Sequence, residues 1–312
     1  MPTVYKIGTR GSDLALWQAN TISSQLRALG IEPEITIIKT TGDKIDNVPF
    51  SKLEGKGFFT KELEDAQLDG RVDLAVHSLK DLSTTMPDGL VLAAMVGRED
   101  ARETLLVRPE AVDQERLAAG ELLPLKSGAK IGTSAARRQA QVHWLRPDLE
   151  IADLRGNVPT RVGRLGEGLY DAIILAHAGL IRLELNLDDF FVKNLDVDKF
   201  VPAPAQGMLG IQCRDEAQWV QGIAKLNCPE AARAVAAERL LLNRLDGGCQ
   251  LPFGVNIQQD TNGWQLEVFF ADSPEDKDPL RLSLRGENPE DLAEEAWISL
   301  AERLKQQKST EA

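Results

Sequence analysis

The strongest constraint on this chain is a rhythm. Through its first two-thirds, short β-rich runs alternate with segments whose apolar residues recur at helical spacing. Val4–Thr9 reads as a strand. Ser12 then stands where a helix N-cap belongs, Ala15, Ala19, Ile22, Leu26 and Leu29 recur at helical spacing, and Gly30 closes the helix. A strand over Glu34–Lys39, a short helix over Thr60–Leu68 and a buried-type strand over Leu74–His77 follow. After an interruption the pattern resumes with strand Lys130–Thr133, helix Ser134–Arg146, strand Glu150–Leu154, a helix near Thr160–Glu167 and strand Ala172–Leu175. Such alternation predicts an α/β fold with mainly parallel sheets and helices on both faces.

The segment Arg98–Arg108 reads as a crossing between two α/β units, and Phe200–Gly210, with Pro202, Pro204 and Gly207, as the return. Two crossings predict a hinge with a cleft between two lobes. Beyond about Asn227 the pattern changes. A long helix from Pro229 to Leu245 is followed by strand-like Leu251–Ile257 and Trp264–Phe270. Asn262-Gly263 marks a hairpin turn between these two, and a closing helix spans Pro289–Lys305. This predicts a small α+β domain. The expected division is 1–97 with 202–226, then 98–201, then 227–312. The stretch Gly42–Gly57 has little periodicity and reads either as a plain surface loop or as a mobile lid.

The net charge of −12, from 48 acidic and 36 basic residues, argues against nucleic acid and anionic membrane as partners. No apolar run approaches the ~20 residues that span a bilayer. The strand-like start has no signal-peptide core, which predicts a cytoplasmic protein. Three cysteines and three histidines lack metal-ligand spacing, so no metal site is expected and the thiols are expected to be reduced.

Cations recur where strands end and helices begin: Arg10, Lys80, Arg137, Arg138, Arg155, Arg161 and Arg182. In open α/β sheets ligands bind at the carboxyl ends of strands. Helix N-termini there already favour anions, and Arg adds bidentate carboxylate recognition. A cation early in a helix opposes the macrodipole, so Arg137 and Arg138 carry a local cost that a ligand role would explain. Any one of these is equally readable as a solvated surface charge; the set points to a polyanion. Asp81, beside Lys80, reads either as a turn residue or as an ionised carboxylate able to stabilise a transient cation. Cys249 follows two glycines and reads either as a small buried hydrophobe or as a thiol presented to a bulky group. The residues alone leave open a bilobal binding protein, an enzyme with a transient thiol nucleophile, and an enzyme carrying a group on Cys249.

Several ordered motifs resemble one family over essentially the whole chain. They are Ile7-Gly8-Thr9-Arg10-Gly11-Ser12, Gly55-Lys56-Gly57-Phe58-Phe59, Asp73-Leu74-Ala75-Val76-His77-Ser78-Leu79-Lys80-Asp81, Ile131-Gly132-Thr133-Ser134-Ala135-Ala136-Arg137-Arg138-Gln139, Arg155-Gly156-Asn157-Val158-Pro159-Thr160-Arg161 and Gly247-Gly248-Cys249-Gln250. The chain resembles the porphobilinogen deaminase (hydroxymethylbilane synthase) family. That resemblance implies two lobes of the periplasmic-binding-protein type with a hinge, plus a small α+β C-terminal domain. It implies a monomeric transferase of tetrapyrrole (porphyrin and haem) biosynthesis that condenses four porphobilinogen molecules head to tail with loss of ammonia. The chain would grow on a dipyrromethane cofactor held by a thioether to Cys249, and hydrolysis would release linear hydroxymethylbilane.

By the same resemblance Asp81 is the catalytic carboxylate. Lys80, Ser12, Thr133, Arg137, Arg138, Arg155 and Gly156 hold the cofactor. Arg10, Arg155, Arg161, Arg182 and Gln206 hold substrate, while Lys52, Lys56 and Phe59 come from the lid side. Each pyrrole brings an acetate and a propionate, which gives the arginine set a physical reason. The chain departs from the family pattern at Ser83, Ala135, Pro159 and the run from Ala203 to Met208.

Overall fold

The computed structural model describes residues 4–40, 60–246 and 251–310. In chain order the elements are β1 (Val4–Thr9), α1 (Asp13–Ala28), β2 (Glu32–Ile37), α2 (Lys61–Leu68), β3 (Leu74–Ser78), β4 (Leu90–Val96), β5 (Glu103–Val107), α3 (Gln114–Ala118), β6 (Lys130–Gly132), α4 (Ala136–Leu145) and β7 (Glu150–Ala152). There follow α5 (Val158–Gly166), β8 (Ala172–Ala176), α6 (His177–Leu183), β9 (Phe191–Leu195), β10 (Leu209–Arg214), α7 (Ala217–Ile223), α8 (Pro229–Arg244), β11 (Phe253–Asp260), β12 (Gly263–Phe270), β13 (Leu280–Gly286) and α9 (Pro289–Thr310).

The chain divides into two compact units. The first comprises Met1–Asp100, Ile181–Glu184 and Gln206–Ala232. Its sheet has the order β2-β1-β3-β10-β4. The strands β2, β1 and β3 run parallel, whereas β10 is antiparallel to both β3 and β4. The apolar face of α1, with Ala19, Ile22 and Leu26, packs on Tyr5, Ile7, Leu74, Val76 and Ile211. Ser12 occupies the N-cap position of α1 with extended backbone, but its hydroxyl makes no capping bond. The helix ends as expected: Leu29 is the C-cap and Gly30 follows at φ +75°.

The second unit comprises Ala101–Leu180, Leu185–Ala205 and Arg233–Ala312. Its larger sheet repeats the plan of the first, in the order β7-β6-β8-β5-β9. Here β7, β6 and β8 are parallel, and β5 is antiparallel to β8 and β9. The unit also holds the antiparallel sheet β11-β12-β13. Its core joins Ala237 and Leu241 of α8 to Val255, Leu266 and Val268 and to Leu292, Ala296 and Leu300 of α9.

The sheets are therefore mixed rather than mainly parallel. The strands that make them so were hidden in sequence. All five residues of β5 are buried, two of them polar (Glu103 and Thr104), so no alternation marks the strand. It lies within the segment that reads as a bare crossing. The hairpin turn lies one residue before the expected Asn262-Gly263. Asp260 pairs with Gly263, so Thr261 and Asn262 form the loop, and Gly263 at φ +119° opens β12.

Candidate active site

In both larger sheets the cations stand at one edge. In the first unit, the carboxyl end of β1 delivers Arg10 and Ser12, and that of β3 delivers Lys80 and Asp81. Arg10, Ser12 and Asp81 line a single pocket together with Gln18, His77 and Ser78. Ser12 can face it because its hydroxyl does not cap α1. Asp81 is exposed, and Arg10 and Lys80 are half-buried. Lys80 Nζ donates to Gln206 Oε1 at 3.1 Å, so two residues expected at the site meet. Gln206 itself is fully buried.

His77 supplies a neutral imidazole. Burial pushes its pKa down to about 4; the bond to Gln212 works the other way, and the charge of Arg10 lowers it further. Its Nε2 lies 3.2 Å from Gln212 Oε1. A carboxamide oxygen only accepts, so the imidazole donates there. Gln18 Nε2 donates to Ser78 Oγ at 2.6 Å. Neither Gln18 nor Ser78 was singled out from sequence. The available signal was a buried polar residue, Gln18, within the apolar stripe of α1.

Arg182 is buried and its cation lies 5.3 Å above the Trp17 ring. One Nη donates to the Gly207 carbonyl at 2.5 Å, while Nε is buried with no hydrogen-bond partner among the described residues. Desolvation lowers its pKa, with Glu99 acting in the opposite sense.

In the second unit the loops after β6 and β7 carry the expected residues. Thr133 is buried; its backbone N–H donates to Ala152 and its carbonyl accepts from Gln139 Nε2. Gly156 lies at φ +97°, and a Cβ there would come within 2.7 Å of Thr160. Its carbonyl accepts from Arg161 Nε at 2.7 Å, and Asn157 caps α5 through the Thr160 N–H. Arg155 is half-buried, and its carbonyl accepts from Arg164.

Arg137 and Arg138 sit in the first turn of α4, but they are buried rather than open surface charges. Both converge on Glu103. Arg137 Nη2 lies 2.6 Å from Oε1, and Arg138 approaches side-on with Nε 3.0 Å from Oε1 and Nη2 2.8 Å from Oε2. Among the described residues, Arg137 Nη1 also donates to the Val201 carbonyl and Arg138 Nη1 to the Ile174 carbonyl. The anion that offsets these cations near a helix N-terminus is thus Glu103, which sequence reasoning missed.

Cys249, Lys52, Lys56 and Phe59 lie outside the described residues. Among the described residues no group of three or more His, Cys, Asp or Glu is placed to hold a metal ion, and no helix is long and apolar enough to cross a membrane.

Two family models match the chain: "Porphobilinogen deaminase, dipyromethane cofactor binding domain" over residues 5–222, and "Porphobilinogen deaminase, C-terminal domain" over residues 232–306. Similar proteins include the porphobilinogen deaminase of Trichlorobacter lovleyi, 44% identical over 97% of this chain and 93% of that one. Those of Geobacter sulfurreducens (45%, covering 96% and 90%) and Maridesulfovibrio salexigens (46%, covering 96% and 93%) are alike in extent. Among solved structures, the periplasmic VFT2 domain of Bordetella pertussis BvgS overlaps with a TM-score of 0.42 at 13% identity, covering 72% of this chain and 86% of that one, too loosely to add to this. Model matches that together span nearly the whole chain, and relatives this similar over almost their full length, place it in the porphobilinogen deaminase family.

Proposed function

We propose that this chain is a porphobilinogen deaminase. It condenses four porphobilinogen molecules head to tail with loss of ammonia on a dipyrromethane joined to Cys249, then releases linear hydroxymethylbilane by hydrolysis. The observation that carries the reading is the pocket of the first unit, which gathers Arg10, Ser12 and Asp81 from two separate strand ends. Cations, a hydroxyl and one carboxylate are the groups that a pyrrole with acid side chains and a departing amine requires.

The residues present fit such a cofactor. Its acetates and propionates need buried cations with donors to spare. Arg182 offers a buried Nε that the described residues leave unmet, and Arg137 with Arg138 present two cations against one carboxylate. When bound, the cofactor supplies a nucleophilic pyrrole carbon as primer. Lys80, Ser12, Thr133, Arg137, Arg138, Arg155 and Gly156 are assigned to hold it. Arg10, Arg155, Arg161, Arg182 and Gln206 are assigned to substrate carboxylates, and Lys52, Lys56 and Phe59 to the lid side.

Asp81 is assigned the chemistry. A fixed carboxylate accepts pyrrole N–H bonds and stabilises positive charge that develops as ammonia leaves. It can also take the proton lost when the ring is restored. Neutral His77, at the same pocket, adds no competing cation.

The domain limits 1–97 with 202–226, 98–201 and 227–312 are proposed with this function. The two lobe limits are supported by the nearby unit boundaries at Asp100/Ala101 and Ala205/Gln206. Arg233–Ala312 falls in the same compact unit as the second lobe, so the separate C-terminal domain rests on its own sheet and core. A monomer working in the cytoplasm completes the reading, and sedimentation equilibrium tests the first part. The decisive experiment is an intact mass spectrum. The native chain should carry an adduct of two pyrrole units, and Cys249→Ser should lack both the adduct and the pyrrole colour reaction. A bare thiol in the native chain would overturn the assignment.

A further inference from the structure

The burial of the Arg137–Glu103–Arg138 cluster is graded. Glu103 is fully buried, whereas the side chains of Arg137 and Arg138 retain 7% and 6% exposure. What little exposure the cluster keeps thus belongs to the two arginines and not to the carboxylate. Glu103 begins β5, where it pairs with Ala176 at the carboxyl end of β8. That is the sheet edge from which the loops after β6 and β7 emerge. Each guanidinium has five N–H donors. The bonds to Glu103 and to the two carbonyls occupy two on Arg137 and three on Arg138. Neither fork is exhausted. Among the described residues, the ion pairs of both arginines are with Glu103. A single carboxylate cannot neutralise two buried cations, and a buried unpaired charge is costly.

We propose that Glu103 is a positioning residue: it fixes both guanidiniums from behind, so that their outer donors and their uncompensated positive charge receive ligand carboxylates. The inference rests on the reading of Arg137 and Arg138 as carboxylate-binding residues. Two effects of the Glu103 charge oppose each other. By field alone it weakens an incoming anion, so its removal would tighten binding. By geometry it holds two long side chains in fixed forks, and bidentate recognition depends on that orientation. Positioning requires geometry to win, and the sign of the change in KM therefore discriminates between them.

The test uses the full chain with Glu103→Gln, Glu103→Asp and Arg138→Leu, each followed by adduct mass, melting curve, and kcat and KM for porphobilinogen per adduct-bearing molecule. Glu103→Gln should raise KM about tenfold or slow adduct acquisition by a similar factor. Glu103→Asp, which keeps the charge one methylene short, should recover part of the loss. An unchanged or lower KM in Glu103→Gln, with only the melting temperature reduced, overturns the proposal and leaves Glu103 a structural ion-pair residue. If Glu103→Gln does not fold, Glu103→Asp decides: a several-fold rise in KM supports positioning, and a wild-type KM overturns it. Arg138→Leu separates the two levels. Normal adduct formation and turnover in that variant would defeat the arginine assignment itself. Impaired Arg138→Leu beside wild-type kinetics in Glu103→Gln would defeat only the role of Glu103.

Discussion

Ser134 and Leu154 exchange a reciprocal pair of hydrogen bonds. The Ser134 hydroxyl donates to the Leu154 carbonyl at 3.0 Å and accepts from the Leu154 N–H at 2.9 Å. One side chain thereby ties the loop after β6, which carries Thr133, to the loop after β7, which carries Arg155 and Gly156. Leu154 is fully buried, so water cannot replace the lost partner. Ser134→Ala should cost about 1–3 kcal/mol, the penalty for leaving a buried backbone group unsatisfied. Urea unfolding measures it, and a change under 0.5 kcal/mol would mean the loop re-pairs.

Gly207 tests backbone geometry. It sits at φ +87°, and a Cβ there would lie 2.2 Å from the Glu99 carbonyl oxygen. The Glu99 N–H in turn donates to the Gly207 carbonyl, which also accepts from Arg182. The backbone cannot retreat without losing these bonds. Gly207→Ala should therefore destabilise by about 3 kcal/mol or more, with a lowered melting temperature. Gly30→Ala, which has open space around it, should suffer only the cost of its positive φ.

His77 predicts an acid-side loss of stability. Its pKa is about 4 when folded against an ordinary 6.5, so the unfolded chain binds the extra proton first. Stability from this group is complete above pH 6.5 and declines as pH falls toward 4. At pH 5 the loss should be roughly 2 kcal/mol. His77→Gln removes the titration, so its stability should be flatter between pH 6.5 and 5. Equal slopes in the two proteins would show that the imidazole titrates normally.

Asp81→Asn tests the chemistry apart from the fold. Asp81 is exposed in the pocket, so the neutral isostere should fold with nearly unchanged melting temperature. A preorganised charge at a developing cation is worth about two to four orders of magnitude in rate, and single-turnover synthesis should fall accordingly. Asp81→Glu keeps the charge but misplaces it, and should retain part of the activity. Near-normal turnover with a large stability loss would make Asp81 a turn residue.

The chain's local patterns determined much of this. Apolar spacing located α1, α2, α4, α8 and α9 to within a few residues, because a helix face is written at intervals of three and four. The same local logic placed Arg10, Lys80, Asp81 and Arg155 beyond strand ends. It also gave the family, since ordered motifs survive without reference to contacts.

Tertiary structure alone decided the rest. The strand β5 carries no period because both its faces are buried. The leucines Leu280, Leu282 and Leu284 do alternate with exposed residues in β13, yet their partner strand is set only by the register with β12. Arg137 and Arg138 read from sequence as cations awaiting a ligand anion, but the sheet order brings Glu103, 34 and 35 residues away, against both forks. Ser12 kept its N-cap position but not the bond, and Gln18 found Ser78 sixty residues on. Local sequence fixes which backbone states are cheap and which face is apolar. Which buried charge meets which depends on strands packed side by side, and no short window of sequence contains that adjacency.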